Sequence, residues 1–464
     1  MSGISVLASL TASAAAGSLL GFFAGLVPGL HMNNIAAAVS AYAGLVVGVF
    51  ASLRDIVGGG DPYLMVSCFI SAALVAHLFG EAVTSTYVGI PAEDVVSVLP
   101  AHRLAKAGLG LRAVQSSATG TFAGVLIGIA SVLPICAIMG GTVGLYSYLK
   151  MVMFPLILVF SALLLVSEGF PSLRLRHGVP HPFVSVAKAA AAFTAAGALG
   201  LLVFDTDYYA CDVPDLPWTG TFVPRSSLLL PLFAGLFGVP GLLLSLASRS
   251  VSDVVRLPSP RHGSPRCRDV CISLLGGTIV GWLPGMTSGS AVTMCAPSVQ
   301  EVQSSNDIDD SLRFIWLYSS ISACGAVMSV GALFMIMRAR SGSMDAIALF
   351  MGERIEEGSL LTDMAAISSI LLSMLLAAAV SRWFLSVSSS WLGRGRKLLC
   401  SRGLAVVSLV FVMALSLALT GSRGALLMGA ATSLGLIVPL AGVRRIQLMG
   451  CLLVPITVLL AGLR

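Results

Sequence analysis

The chain has 464 residues, of which 56% are hydrophobic and only 10% are charged, and its mean hydropathy is +0.95. A soluble globular protein carries about 25% charged residues, so the composition excludes that class and indicates a multi-pass protein of the cytoplasmic membrane. The 27 basic residues outnumber the 21 acidic ones. Because the excess lies in short loops and forms no basic surface rich in aromatic residues, a nucleic-acid partner is also excluded.

Apolar stretches follow one another along the whole chain. At about 20 residues per spanning helix, the length accommodates about 10–13 hydrophobic segments, some of them short enough to be half-spans. In chain order they cover residues 4–27, 29–51, 63–90, 113–140, 143–167, 185–204, 226–247, 270–296, 313–337, 364–381, 403–420, 425–441 and 446–463. The sequence therefore predicts an all-α polytopic membrane protein surrounded by the lipid bilayer.

The charged loops between these segments predict which side of the membrane each loop occupies. Four loops are basic, and we expect them in the cytoplasm: residues 102–112, 174–188, 249–268 and 382–402. Three loops are acidic, and we expect them outside: residues 205–215, 301–310 and 353–363.

A Gly-Pro signature occurs twice, 256 residues apart: residues 21–29 and 277–285 both read Gly-x3-Gly-x2-Pro-Gly. Pro removes a backbone donor and Gly relaxes the backbone, so each copy is expected to break a spanning helix. Lipid does not hydrogen-bond the freed backbone groups, and such breaks persist only where they are buried in protein or line a cavity. Paired broken helices are typical of transporter binding sites.

A Pro- and Arg-rich stretch, residues 249–269, separates the two copies and has the composition of a cytoplasmic connector. It divides the chain into an N-terminal membrane repeat, residues 1–248, and a C-terminal membrane repeat, residues 270–464. The repeats are parallel or inverted according to the number of membrane crossings between them, which hydropathy leaves open.

The residues around each break are the candidates for binding a substrate. A half-helix that begins after Pro-Gly presents free N–H groups and a positive dipole end, which suit an anionic group. The alternative is that the polar residues are ordinary helix caps and the glycines only allow close packing. Two copies favour binding. The predicted substrate-binding residues are Pro28, Gly29, His31, Asn33, Asn34, Pro284, Gly285, Thr287, Ser288 and Ser290.

Four ionisable residues are candidates for ion coupling. His77 and Glu81 lie four residues apart on one helical face inside an apolar segment, where ionisable groups usually face a cavity or a partner. Glu81 could exchange a proton, coordinate Na⁺ or form a structural pair with His77. Glu93 and Asp94 follow a Gly-x-Pro break and would otherwise be a solvated helix cap. The sequence predicts neither a cofactor nor a metal site.

These motifs, in this order, resemble the TctA-like permeases, the large membrane subunit of the tripartite tricarboxylate transporters. The resemblance rests on both Gly-Pro copies and on residues 89–104 and 232–240, while residues 28–31 and 338–342 are similar to a stand-alone archaeal-type branch. It implies a secondary transporter, not an enzyme, that moves a small organic anion, expected to be a carboxylate, with H⁺ or Na⁺ coupling. A homodimer is compatible with it, and a solute-binding protein is not assured.

Other functional classes have less support. No G-x4-G-K-[ST] loop is present to bind a nucleotide, which disfavours an ATP-driven pump. An intramembrane enzyme acting on a lipid or peptide substrate remains the alternative, with Glu93, Asp94 or His31 in its site. However, the chain has no H-E-x-x-H motif, and spacing assigns no histidine to Ser290.

Overall fold

A computed structural model describes residues 3–27, 30–89, 95–140, 143–169, 182–204, 211–212, 225–226, 228–247, 266–283, 286–295, 308–352, 355, 363–388 and 402–462. Most of the predicted connector lies outside these ranges. So do six predicted site residues: Pro28, Gly29, Glu93, Asp94, Pro284 and Gly285.

The N-terminal half is helical apart from one short strand pair. Its helices are α1 (Gly3–Gly25), α2 (Met32–Ala41), α3 (Ala43–Val57), α4 (Pro62–Val88), α5 (Val95–Lys106), α6 (Gly110–Met139), α7 (Leu145–Val166), α8 (Pro182–Phe204), α9 (Leu229–Phe233) and α10 (Val239–Ala247). A 3₁₀ turn covers Ser167–Gly169, and a π-helical turn, Ala234–Gly238, joins α9 to α10. The strands β1 (Cys211–Asp212) and β2 (Arg225–Ser226) pair antiparallel.

The C-terminal half is also helical. Its helices are α11 (Cys267–Trp282), α12 (Ser288–Cys295), α13 (Ile308–Ile336), α14 (Gly342–Met351), α15 (Met364–Val387), α16 (Arg402–Leu440) and α17 (Gly450–Leu460). A 3₁₀ turn, Arg445–Met449, precedes α17.

Within the described residues, eight helices are long and apolar enough to cross a membrane. The bent pair α2 and α3, which meet at 87°, would make a ninth span, and three further apolar helices are shorter. The prediction of an all-α, multi-pass membrane protein with broken helices is therefore confirmed.

Helix α16 folds back on itself at Gly421. As one straight helix its 39 residues would be about 58 Å long, nearly twice the membrane core. Gly421 has φ 61° and ψ −156°, a conformation that glycine alone adopts readily. Gly424 lies near Pro231 and Gly435 lies near Pro240, so the second arm runs in the same direction as residues 231–240. Ala405, at the start of the first arm, clusters instead with Leu242 in α10. The two arms are therefore antiparallel and match the predicted segments 403–420 and 425–441.

Each half contains the same pair of parallel helices, packed through glycines. In the first half, Gly21 of α1 lies against the backbone of Ala73 in α4, and Gly25 lies against that of His77. In the second half, Gly277 and Gly281 of α11 lie against Cys324 and Met328 of α13. Residue numbers rise together in both pairs, so the helices in each pair run in the same direction. The two halves are thus structural repeats.

The repeats are inverted relative to each other. Helices α6 and α13 run parallel, because Gly124 lies against Ser320 and Gly140 lies against Met335. Helix α4 runs opposite to α6, since the end of α4 lies against the start of α6 at Tyr87. It follows that α4 of the first repeat and α13 of the second cross the membrane in opposite directions, the arrangement of inverted-topology transporters.

Two of the predicted loop positions conflict with each other. Arg103, in the basic loop 102–112, donates a 3.0 Å hydrogen bond to Ser311 near the start of α13, so these two segments lie on the same side, although loops 102–112 and 301–310 were predicted on opposite sides. Acidic residues contribute little to membrane orientation, so the prediction for the acidic loop has the weaker basis of the two. Asp309 and Asp310 instead occupy the first turn of α13, where carboxylates stabilise the helix dipole.

Candidate functional site

The first break leads into a helix capped by a histidine. His31 is the N-cap of α2, and its Nδ1 atom accepts a 3.0 Å hydrogen bond from the backbone N–H of Asn33. Asn34 is buried, and Asn33 is half-buried with its side-chain oxygen unpartnered among the described residues. The polar residues that follow the first break are thus inside the protein.

The second break leads into a helix capped in the same way by a threonine. Thr287 precedes α12, and its hydroxyl accepts a 3.2 Å hydrogen bond from the backbone N–H of Ser290, whose own hydroxyl lies 2.9 Å away. Helix α12 begins at Ser288, 256 residues after α2 begins at Met32. The cap interpretation is therefore confirmed for Thr287, whereas at the first break the cap is His31 and not Asn33 or Asn34, which lie inside α2. Substrate binding by these residues stays a prediction.

A single segment, residues 337–342, contacts a helix beside each break. The Arg340 guanidinium donates to the carbonyl of Val280 in the last turn of α11. Two residues later, a Cβ placed on Gly342 would lie 3.3 Å from the Cβ of Asn33 in α2. Met337, where the chain leaves α13, has a φ of +52°, which side-chain-bearing residues rarely adopt. The break regions therefore share one neighbouring segment, and its arginine faces the second break.

An array of three ionisable side chains lies beside the first break. The rings of His31 and His77 meet edge to face with centroids 5.7 Å apart, and His77 Nε2 lies 3.9 Å from a Glu81 carboxylate oxygen. The side chain of His77 is only 1% exposed, and that of Glu81 is 20% exposed. Gly25, at the end of α1, lies against the backbone of both His77 and Glu81. The predicted ion-coupling pair therefore lies directly beside the first break.

Glu81 also faces a cavity of about 40 Å³ between α4, α6 and α13. This volume admits water or a dehydrated ion but is far below the few hundred Å³ of an organic-ligand pocket. The cavity is lined by Leu78, Glu81, Ala82, Ser85, Thr86, Ala101, Ser117, Thr121, Ile315, Tyr318, Ser319 and Ser322.

Sequence reasoning missed most of this cavity. Glu81 was predicted as a functional residue, but the hydroxyl-bearing residues on α6 and α13, such as Ser117, Thr121 and Ser319, were not. Their spacing of four residues within apolar helices is a usable signal, since it puts hydroxyls on one face. The signal is weak, however, because serine and threonine in membrane helices commonly bond to their own backbone. Over the described part of the chain, no group of three or more His, Cys, Asp or Glu side chains is arranged to hold a metal ion.

Comparison with known proteins connects this architecture to a family. An uncharacterized protein of Methanocaldococcus jannaschii is 31% identical over 114 residues, a match that spans 24% of this chain and 25% of that protein. No solved structure matches the chain. The tripartite tricarboxylate transporter TctA family matches residues 12–450, nearly the whole length. That match does not bear out the narrower assignment to a stand-alone archaeal-type branch. The chain belongs to the tripartite tricarboxylate transporter TctA family.

Proposed function

We propose that this chain is a secondary transporter that moves a small organic anion, specifically a carboxylate, across the cytoplasmic membrane with H⁺ or Na⁺ coupling. One observation carries the proposal. Two inverted repeats each contain a broken helix followed by a side-chain-capped helix, and the segment 337–342 contacts α11 before the second break and α2 after the first. Inverted repeats with broken helices place a solute between two halves that rock against each other.

The chemistry beside the breaks favours an anion. Helices α2 and α12 begin there, and the N–H groups and dipole of a helix N-terminus attract negative charge. Arg340 adds a permanent positive charge whose planar group matches a carboxylate in two-point hydrogen bonding. It is half-buried, whereas Arg338 is exposed, so of these two arginines Arg340 is the one placed to meet a solute.

The chemistry beside α4 favours coupling to a cation. Glu81 supplies a carboxylate within the membrane-spanning part of α4, and His77 and His31 continue from it to the first turn of α2. An ionisable group at this depth is costly unless it serves a pathway or a partner. Protonation or cation binding at Glu81 would therefore change the charge within reach of the proposed anion site.

Uptake by the purified chain in proteoliposomes tests this function. We expect accumulation of radiolabelled di- or tricarboxylates when an inward Na⁺ or proton gradient is imposed, and loss of accumulation when the gradient is collapsed. Background uptake of every carboxylate under every gradient, together with product formation from a lipid or peptide, would overturn the proposal. A neutral sugar and a monocarboxylate serve as solute controls.

A further inference from the structure

We propose that the cavity between α4, α6 and α13 is a Na⁺ site, with Glu81 supplying the charge and the surrounding hydroxyl groups supplying neutral oxygen ligands. This inference deepens the proposed transport function and rests on it for its role in coupling.

The cavity is built by three helix faces turned toward one another. On α4 the lining residues are Leu78, Glu81, Ala82, Ser85 and Thr86, spaced as one side of a helix. On α13 the lining positions, residues 315, 318, 319 and 322, have the same periodicity, and α6 adds positions 117 and 121. Each of the three helices therefore turns one continuous face toward the cavity.

Hydroxyl groups meet across the helix interface. The Ser117 hydroxyl of α6 and the Ser319 hydroxyl of α13 lie 2.7 Å apart, and both residues are about 94% buried. Thr86 and Thr121 are 1% exposed. Together with the remaining serines and Tyr318, these residues surround the cavity with several oxygen atoms that can coordinate a cation. A site that only carries a proton needs one titratable group and no such set of oxygen ligands.

The charge of the cavity fits a monovalent cation. Among the described residues that line the cavity, Glu81 is the carboxylate and none is an arginine or a lysine. The same carboxylate would repel an organic anion, and a divalent cation generally recruits more than one carboxylate. His77 lies 3.9 Å from Glu81 on the same helix but does not line the cavity.

The size of the cavity fits Na⁺ as well. A volume of about 40 Å³ holds a dehydrated cation and about one water molecule, and a hard cation of this kind prefers oxygen ligands. Helices α4 and α6 belong to the first repeat and α13 to the second, so a cation bound here would hold the two repeats together. Glu81 also contacts Gly25 at the end of α1, which connects occupancy of the cavity to the first break.

Sodium binding can be measured on the purified protein in detergent without any transport. We expect ²²Na⁺ to bind saturably, and NaCl to raise the thermal midpoint relative to equal concentrations of choline chloride. Glu81→Gln should abolish both effects, and Ser319→Ala should weaken Na⁺ binding about tenfold, as expected when one ligand to a charge is removed. Ser329→Ala is the matched control, because Ser329 is a buried serine on the same helix that bonds to Gly325 of its own backbone.

The outcomes separate this site from the transport function. Absence of Na⁺ binding to the folded wild-type protein, or wild-type affinity in both Glu81→Gln and Ser319→Ala, would overturn the Na⁺ site. If the protein then still accumulates carboxylate under a proton gradient, the transport function stands without it. If Na⁺ binds as expected but no carboxylate is ever accumulated, the Na⁺ site stands and the proposed function fails.

Discussion

His31 and Thr287 hold the same position in the two repeats, each capping the short helix that follows a Gly-Pro break. Their chemistry differs. The imidazole of His31 also meets the ring of His77, which leads on to Glu81, whereas Thr287 pairs with the hydroxyl of Ser290. The two repeats therefore share the same backbone arrangement at the break, but only the first has a titratable cap. Two equivalent breaks thus have chemically different surroundings.

Replacing His31 by threonine separates its role as the N-cap of α2 from its ring contact with His77. Threonine is an effective N-cap, so His31→Thr should keep α2 folded, with a loss of stability below about 1 kcal/mol. It removes the ring contact with His77, and we expect carboxylate uptake to fall at least tenfold. Thr287→Ala is the comparison variant, because it removes a cap without touching an ionisable group. Thermal unfolding of both variants measures the contribution of each cap to stability, and carboxylate uptake measures the contribution of the imidazole to transport. Full uptake by His31→Thr would show that the imidazole is dispensable.

Arg340 is predicted to bind the transported anion. Arg340→Lys keeps the positive charge but loses the planar two-point hydrogen bonding, so the KM for carboxylate uptake should rise about tenfold or more. Arg338→Lys, two residues away at an exposed position, should leave the KM unchanged. Equal KM values for the two variants would remove Arg340 from the anion site and leave it as a structural contact to Val280.

The close approach of α1 to α4 depends on glycine. A Cβ added to Gly21 would lie 2.1 Å from the carbonyl oxygen of Ala73, and backbone cannot move aside as a flexible side chain can. Gly21→Ala should therefore destabilise the fold by about 1–3 kcal/mol and lower the yield of monodisperse protein in size-exclusion chromatography. Gly44→Ala in α3 meets nothing within 4 Å and should be tolerated. Similar yields for the two variants would contradict the packing described.

Local sequence patterns predicted the features that depend on local chemistry. The Gly-Pro runs pointed to the breaks, and the polar residues after each run pointed to helix caps, because capping is decided within three or four residues; the particular residue was predicted at Thr287 and missed at His31. The side-by-side packing of α6 and α13 depends on contacts between residues about 200 positions apart, for which the sequence carries no local signal. The inverted topology and the hydroxyl cavity both follow from that packing, and neither was predicted.

A buried ion pair should hold the end of α7 to the turn before α17. Arg444 donates a 2.8 Å hydrogen bond to the Glu168 carboxylate, which also accepts from Gln447. Glu168 is only 6% exposed, so Glu168→Ala would leave a largely buried arginine unpaired and cost about 3–5 kcal/mol. Asp55→Ala breaks the exposed pair with Arg54 and should cost at most about 1 kcal/mol. Thermal unfolding in detergent measures the difference. Equal midpoints for Glu168→Ala and Asp55→Ala would show that the pair of Glu168 and Arg444 does not hold these segments together.

Protein stability should depend on pH through His102, which lies at the C-terminal end of α4. Its Nδ1 lies 3.1 Å from the carbonyl oxygen of Thr86, and its ring packs under Gly89, whose φ of +74° ends α4. Burial lowers the pKa of His102 below its ordinary value of 6.5, the bond to Thr86 opposes that shift, and Lys106 adds to it. The folded protein therefore favours the neutral form of this histidine more than the unfolded chain does.

The direction of the pH effect follows from that lowered pKa. Below pH 6.5 the unfolded chain takes up a proton at His102 more readily than the folded protein does, so the free energy of unfolding falls as pH decreases from 6.5 toward the folded pKa. Well above pH 6.5 both states are neutral at this residue and its contribution is constant. His102→Asn keeps an amide donor for Thr86 but does not titrate. The stability of the wild type relative to His102→Asn should thus decline between about pH 7 and pH 5, and a difference that stays constant over this range would contradict the assignment.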